Sequence, residues 1–315
     1  LRPLRRVTVF APSPQLTVTI EELDGIPEMH LHAGGQGVWQ ARMIVSLGVP
    51  AVLCAALGGE TGDLLKHLIP GEGIELVSEE AHSRNGGYVH DRRDDRRDPI
   101  VEAPGEPLSR HELDGLYEKT LVEGLRSTTV TLSGPSTGQP VPADIYRRLA
   151  TDLRANGCLL VVDLSGELLA AAVEGKPQFI KVSHEELLDD GLADSDDPTA
   201  LISAMRELSR RAGDASVVVS RAADPALALL EGELFEVEAP PLHPMDSRGA
   251  GDSMTAAVAA ALTEGASQLD AVRLGAAAGA LNVTRRGLAT GGGDSVRAVA
   301  ERVEVRRLKD DGEAG

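Results

Sequence analysis

Apolar positions along this chain fall into two alternating patterns. Short unbroken apolar runs at residues 7–10, 51–57, 128–132, 159–163, 179–182 and 216–220 have the length and β-branched content of buried strands. Between them lie stretches whose apolar residues recur three and four positions apart, the signature of amphipathic helices. One such helix is marked by Ser109 with Glu112 three residues on, a capping box, and the next is predicted to begin at Pro142, a residue tolerated in a first helical turn. This strand–helix alternation predicts an α/β fold: a doubly wound, mostly parallel sheet with helices on both faces.

Two segments break the rhythm. Residues 16–31 alternate polar and apolar around Asp24-Gly25, and residues 88–101 do so around the charge run Asp91-Arg92-Arg93-Asp94-Asp95-Arg96-Arg97-Asp98. Both read as hairpins solvated on one side, and together they predict a small β-sheet lid, from about 15–33 and 85–103, on one domain spanning 1–315. The charge run reads as a solvated hairpin tip; the sharper alternative is a set of arginines that grips a ligand.

Composition narrows the picture. Of 315 residues 42% are hydrophobic but only 2% aromatic, so the core is built from Ala, Val and Leu, which suits helices packed closely on a buried sheet. A formal net charge of −18 opposes binding to nucleic acid or anionic membranes, and any phosphate site must be made locally. With no long apolar run and no secretory leader, a cytoplasmic protein is expected. Cys54 and Cys158, each in an apolar context, read as reduced buried thiols.

The candidate chemistry lies at Asp246-Ser247-Arg248-Gly249-Ala250-Gly251-Asp252-Ser253, followed by an Ala-rich helical stretch at 254–262. Small residues Gly249, Ala250 and Gly251 at a helix N-terminus let backbone N–H groups and the helix dipole converge on an anion. Asp252, in the first turn, is placed to accept a proton from an attacking hydroxyl; otherwise it merely caps the helix. A second glycine cluster, Ala33-Gly34-Gly35-Gln36-Gly37, opens a helix at 38–47, and a third lies at Gly58-Gly59-Glu60-Thr61-Gly62-Asp63. A dehydrogenase would need Gly-x-Gly-x-x-Gly straight after the first strand, where Ala11-Pro12-Ser13 stands instead, and no glycine loop ends in the Gly-Lys-Ser/Thr of a Walker NTPase.

The Gly-Gly-x-Gly segment and the Asp-x-x-Gly-Ala-Gly-Asp segment resemble the two signatures of the ribokinase-like (PfkB) carbohydrate kinases. Glu102-Ala103-Pro104-Gly105, Leu132-Ser133-Gly134, Val141-Pro142-Ala143-Asp144, Asp163-Leu164-Ser165-Gly166-Glu167 and Ile180-Lys181 follow the order of the 1-phosphofructokinase and tagatose-6-phosphate kinase branch. The resemblance implies ATP-dependent phosphorylation of a sugar-like hydroxyl, with Asp252 as base and Gly249, Ala250 and Gly251 as anion hole. It also implies ATP contacts at Lys181, Ser183, Ser220, Ala222 and Asn282, with Mg²⁺ organised by Glu186 of Ser183-His184-Glu185-Glu186, where Ser183 replaces the usual Asn. The loop at 220–225 and the helix at 276–282 would flank the adenine.

The acceptor site departs from that branch. By the resemblance the acceptor lies beneath the lid, against Gln15, Gly34, Gly35, Gln36, Trp39 and Arg42. Gln15 stands in place of an Asp, Gln36 of a Lys and Trp39 of an Asn, so two charges are lost. Trp39 either stacks on a ring or fills space; Arg42 and Arg84 remain as anion contacts. These substitutions predict a less anionic acceptor: a neutral sugar, polyol or nucleoside. The alternatives are a divergent 1-phosphofructokinase-type enzyme and a non-catalytic metabolite- or nucleotide-binding protein on the same fold. A homodimer through the lid is a further expectation.

Overall fold

The computed structural model describes residues 3–93, 97–136, 140–246, 248–285 and 289–309. Asp94, Asp95 and Arg96 of the charge run, Ser247 of the glycine motif and the tail from 310 lie outside the described residues. The chain runs β1 (Leu4–Phe10), β2 (Gln15–Leu23), β3 (Ile26–Gly34), α1 (Gln36–Ser46), β4 (Ala51–Leu57), α2 (Gly59–Gly71), β5 (Glu75–Glu80), β6 (Gly87–Asp91) and β7 (Asp98–Ala103). It continues through α3 (Arg110–Arg126), β8 (Ser127–Ser133), α4 (Ala143–Ala155), β9 (Leu159–Asp163), α5 (Gly166–Glu174), β10 (Phe179–Ser183), α6 (His184–Asp189) and α7 (Pro198–Arg211). The last elements are β11 (Ser216–Arg221), β12 (Asp224–Leu230), β13 (Glu233–Glu238), α8 (Ala250–Glu264), α9 (Gln268–Asn282), α10 (Gly293–Ala300) and β14 (Glu304–Arg307).

All six strands read from unbroken apolar runs are present, and they form the middle of a ten-stranded sheet ordered β14-β13-β12-β11-β10-β9-β8-β1-β4-β5. From β5 to β11 the pairings are parallel; β12, β13 and β14 add on antiparallel. Alternate strand residues feed two apolar layers. One, with Val7, Val9 and Leu53, packs under α1, α2, α8, α9 and α10; the other, with Val52, Leu132 and Ile180, packs under α3, α4, α5, α6 and α7. The scarcity of aromatics is met by close helix contact: a Cβ on Gly275 of α9 would lie 2.9 Å from Val258 Cγ2 and 3.1 Å from Met254 Cγ of α8.

The Ser109–Glu112 capping box forms as the sequence predicts. Pro142 is not in the first turn of its helix but one residue before it, at the N-cap, with φ −57° and ψ 136°. The fixed φ of proline suits either place, and its extended ψ puts the first helical residue at Ala143.

The second sheet, ordered β3-β2-β6-β7, unites the two hairpins. The β2–β3 turn uses Asp24 at φ 53° and Gly25 at φ 78°, the twin left-handed geometry that a two-residue hairpin needs. Asn85 pins the root of this sheet: its buried amide donates to Pro14 O (3.1 Å) and Ala56 O (3.0 Å) and accepts from Gly58 N (2.8 Å). In the large sheet the chain leaves β1 for β4 on one side and returns to β8 on the other. The carboxyl ends of β1, β8, β9 and β10 therefore open on a crevice at a topological switch point, where open α/β sheets place their ligands.

Candidate active site

Helix α8 begins beside that crevice. Gly249 is its N-cap at φ 70°, a conformation strained for any residue with a side chain, and no described side chain caps the helix. Its first-turn N–H groups remain available to an anion. Asp252 is 9% exposed within that turn. Burial, and then the charge of Asp163, push its carboxyl up to about 7; Lys181 and hydrogen bonds from Gln40 and Gln36 pull the other way. A carboxyl so placed can exchange a proton near neutrality, as a general base must.

Lys181, on β10, is almost fully buried and 3.3 Å from Asp163 Oδ1 at the end of β9. Burial works against its charge, but Asp163, Glu186 and Asp252 outweigh that, so its pKa is raised and the ammonium persists. A Cβ on Gly251 would lie 2.5 Å from Lys181 Nζ, so glycine is what lets the cation reach the first turn of α8. The other Asp163 oxygen accepts from Gln40 Nε2 (3.1 Å) and Thr255 Oγ1 (2.7 Å). Gln36 accepts from Gly134 N (2.5 Å). Ser183 and Glu186 form a reciprocal capping box at α6.

Two cavities lie near these groups. The first, about 500 Å³, is lined by Gln36, Gly134, Ser136, Asp163, Ser165 and Glu186, among others. The second, about 530 Å³, lies under the lid, with Thr17, Trp39, Arg42, Tyr88, Arg92 and Arg97 in its wall. Gly34 packs against the Thr17 hydroxyl and Tyr88, and Gly35, at φ 102°, faces Ser136. Gln15 pairs with Gly34 at the start of β2. Trp39 lines the second cavity while its inner side packs on the core. Arg42 is clamped by Glu72 (2.5 and 2.7 Å) and Ala33 O (2.8 Å), and Arg84 points outward to Glu106 at 3.5 Å.

Other sequence expectations land differently. Residues 220–225 form no open loop: Ser220 ends the regular part of β11, and Ala222, at φ 50°, sits in a tight turn into β12. The Asn282 amide is occupied by main chain, donating to Arg248 O (2.6 Å) and accepting from Ala289 N (2.7 Å), so it shapes a wall. The described arginines at both ends of the charge run are not all solvated: Arg92 and Arg97 turn inward to Asp246 at 3.2 and 3.5 Å, each 11% exposed. They reach from the lid to a carboxylate in the loop feeding α8. Gln40 and Thr255 carry no signal in the sequence, and Asp163 stands there only as one member of a family segment, without a site role. A signal for Asp163 was present, since a carboxylate closing a buried parallel strand stands at the ligand-binding end of the sheet.

A helix N-terminus open to anions, a buried carboxylate with its pKa raised and a lysine beside them are features that suit phosphoryl transfer. The pfkB family carbohydrate kinase pattern matches residues 12–293, and the chain belongs to that family. It is 30% identical to the ATP-dependent 6-phosphofructokinase isozyme 2 of Escherichia coli over 257 residues, 81% of this chain and 82% of that protein. It is 25% identical to the 1-phosphofructokinase of Bacillus subtilis over 278 residues, 88% and 89% of the two chains. The structure of the E. coli phosphofructokinase-2 with potassium superposes with a TM-score of 0.82 at 26% identity, covering 94% of this chain and 98% of that one. A tetrameric inhibited form of the same enzyme superposes at 0.80, with 26% identity and 94% and 98% coverage. The protein is an ATP-dependent sugar kinase. No helix among the described residues is long and apolar enough to cross a membrane.

Proposed function

We propose that Asp252 is the catalytic base, that Gly249, Ala250 and Gly251 form the anion hole, and that the acceptor is a sugar phosphate. The observation that carries the acceptor assignment is the cluster around Asp246. Arg92 and Arg97 pair with that single carboxylate, and the Arg248 side chain lies near enough to act on Arg97. Arg92, Arg97 and Arg248 bring guanidiniums together at this carboxylate in a protein of net charge −18. The cluster lies where the lid meets the anion-hole loop and supplies the cation missing at Gln36. The phosphofructokinase activities of the E. coli and B. subtilis relatives support the same class of acceptor.

In this reading Asp252 orients the acceptor hydroxyl and takes its proton late, while the α8 N-terminus and Lys181 stabilise charge on the transferred phosphoryl group. Glu186, at the wall of the first cavity, fits a Mg²⁺ ion that keeps most of its water and is held chiefly by phosphates. Residues 1–315 act as one kinase domain with its lid, and dependence on ATP supports a cytoplasmic enzyme. The outer lid face, with cross-strand pairs Val18–Leu31, Ile20–Met29 and Val89–Val101, is taken as a homodimer surface.

Trp39 in the second cavity favours the other reading, a neutral acceptor stacked on the indole. Arg97→Met separates them. If a sugar phosphate is the substrate, its KM should rise about tenfold to a hundredfold, the worth of one charge-assisted contact, while neutral sugars remain poor substrates. Efficient turnover of a neutral sugar, unaltered by Arg97→Met, would establish the stacked reading instead.

A further inference from the structure

We infer that Gln36 is a contact to the phosphoryl donor: an amide braced against the end of β8 that offers its N–H groups to the terminal phosphate of ATP in the first cavity. The resemblance set Gln36 with the acceptor. In the structure it stands in the wall of the first cavity with Asp163, Ser165 and Glu186, whereas Trp39 and Arg42 stand in that of the second. Its Oε1 accepts at 2.5 Å from the N–H of Gly134, the residue that follows β8. A Cβ on Gly134 would lie 3.1 Å from that oxygen, so glycine lets the brace stay short. With the carbonyl end held, the NH₂ group is the end of the side chain left to meet a ligand.

Charge gives that group its importance. The ionisable side chains of this wall, Asp163 and Glu186, are both carboxylates, which repel a polyphosphate. The Ser136 hydroxyl already donates to Ser13 O. Gln36 sets neutral N–H donors beside the carboxylates, where a phosphate oxygen can accept from them. It also opens α1, whose N-cap, Gly35, has no side chain to satisfy the first-turn N–H groups, so the positive end of that helix lies at the same wall. Asp163 joins the cavity to the proposed anion hole, because it pairs with Lys181, which reaches the first turn of α8.

The inference rests on the first cavity taking the nucleotide's phosphates, and the experiment separates the two. Titration calorimetry with Mg-ATP and Mg-ADP at pH 8 needs no acceptor. Gln36→Glu keeps an oxygen for Gly134 N and removes the donors; Gln36→Lys removes the oxygen and keeps a donor. Glu186→Gln at limiting Mg²⁺ is the control for the cavity, and the melting temperature is followed throughout. Gln36→Glu should weaken Mg-ATP binding about tenfold to a hundredfold with Mg-ADP within about twofold, and Gln36→Lys should bind Mg-ATP at least as tightly as the wild type. The reverse order, with Gln36→Glu like the wild type and Gln36→Lys weaker and lower melting, would make Gln36 a brace for β8 only. Mg-ATP affinity unmoved by Gln36→Glu but weakened by Glu186→Gln would overturn this inference alone. Affinity unmoved by both would remove the phosphates from this cavity, and the inference with them.

Discussion

Asp252, the proposed base, shows how a buried carboxylate is costly to the fold. Its folded pKa, about 7, lies above the ordinary carboxylate value of 3.8, so the folded state favours the protonated form. By linkage, stability is greatest below the unfolded pKa and falls as pH rises from about 4 through 7, where the buried group must ionise. Asp252→Asn should therefore raise the melting temperature more at pH 8 than at pH 5, while lowering turnover by about a hundredfold or more with ATP binding retained. Calorimetry at the two pH values, with coupled ADP release, checks both. Equal melting shifts at the two pH values, or preserved turnover, would reduce Asp252 to a helix cap. Gly251 is the complementary case: a bulky side chain there must displace Lys181 Nζ, so transfer should fail in a folded protein.

At the scale of the element, α6 links cap and cavity. Ser183 and Glu186 cap the helix reciprocally, and Glu186 also reaches the first cavity. Gln preserves a capping box but carries no charge. Glu186→Gln should leave thermal stability nearly unaltered while raising the Mg²⁺ concentration for half-maximal activity. Ser183→Ala should cost about 1 kcal/mol of stability by denaturant unfolding. If Glu186→Gln leaves Mg²⁺ dependence unaltered, the carboxylate is only a cap. The legibility of the elements follows the same physics. Strands buried on both faces were readable because their residues are continuously apolar. β5 (ELVSEE), β13 (ELFEVE) and β14 (EVRR), which lie at or near the sheet edges, carry charges that keep such edges from pairing further, and that erases the apolar signal. The Gly249–Asp252 helix start was legible because it is contiguous. The Asp163–Gln40–Thr255 network was not, since its members come from three distant elements and only folding makes them neighbours.

At the scale of the molecule, the lid has two unlike faces. Thr17 and Thr19 point into the cavity and are buried, whereas Met29 is 67%, Leu31 39% and Val101 51% exposed on the opposite side. An apolar sheet face of this kind marks an interaction surface. Met29→Asp/Val101→Asp should give a monomer by sedimentation if the face joins two copies of this chain. A wild-type protein already monomeric at micromolar concentration would refute the assignment. A monomer that retains kcat would show the pair of copies to be structural, since neither would then complete the other's site.

The pinning of the lid at Asn85 bears on how such an enzyme diversifies. Helix α8 is buried along nearly its whole length and carries the proposed base, so almost any change there disturbs the core. The lid, where the acceptor is proposed to bind, is pinned at its root by one buried amide with three main-chain partners. A lineage can therefore rewrite the lid residue by residue while inheriting the phosphoryl-transfer apparatus intact. Recombination should tolerate exchange of whole lids between paralogues that share an asparagine at this root, and acceptor preference should travel with the graft.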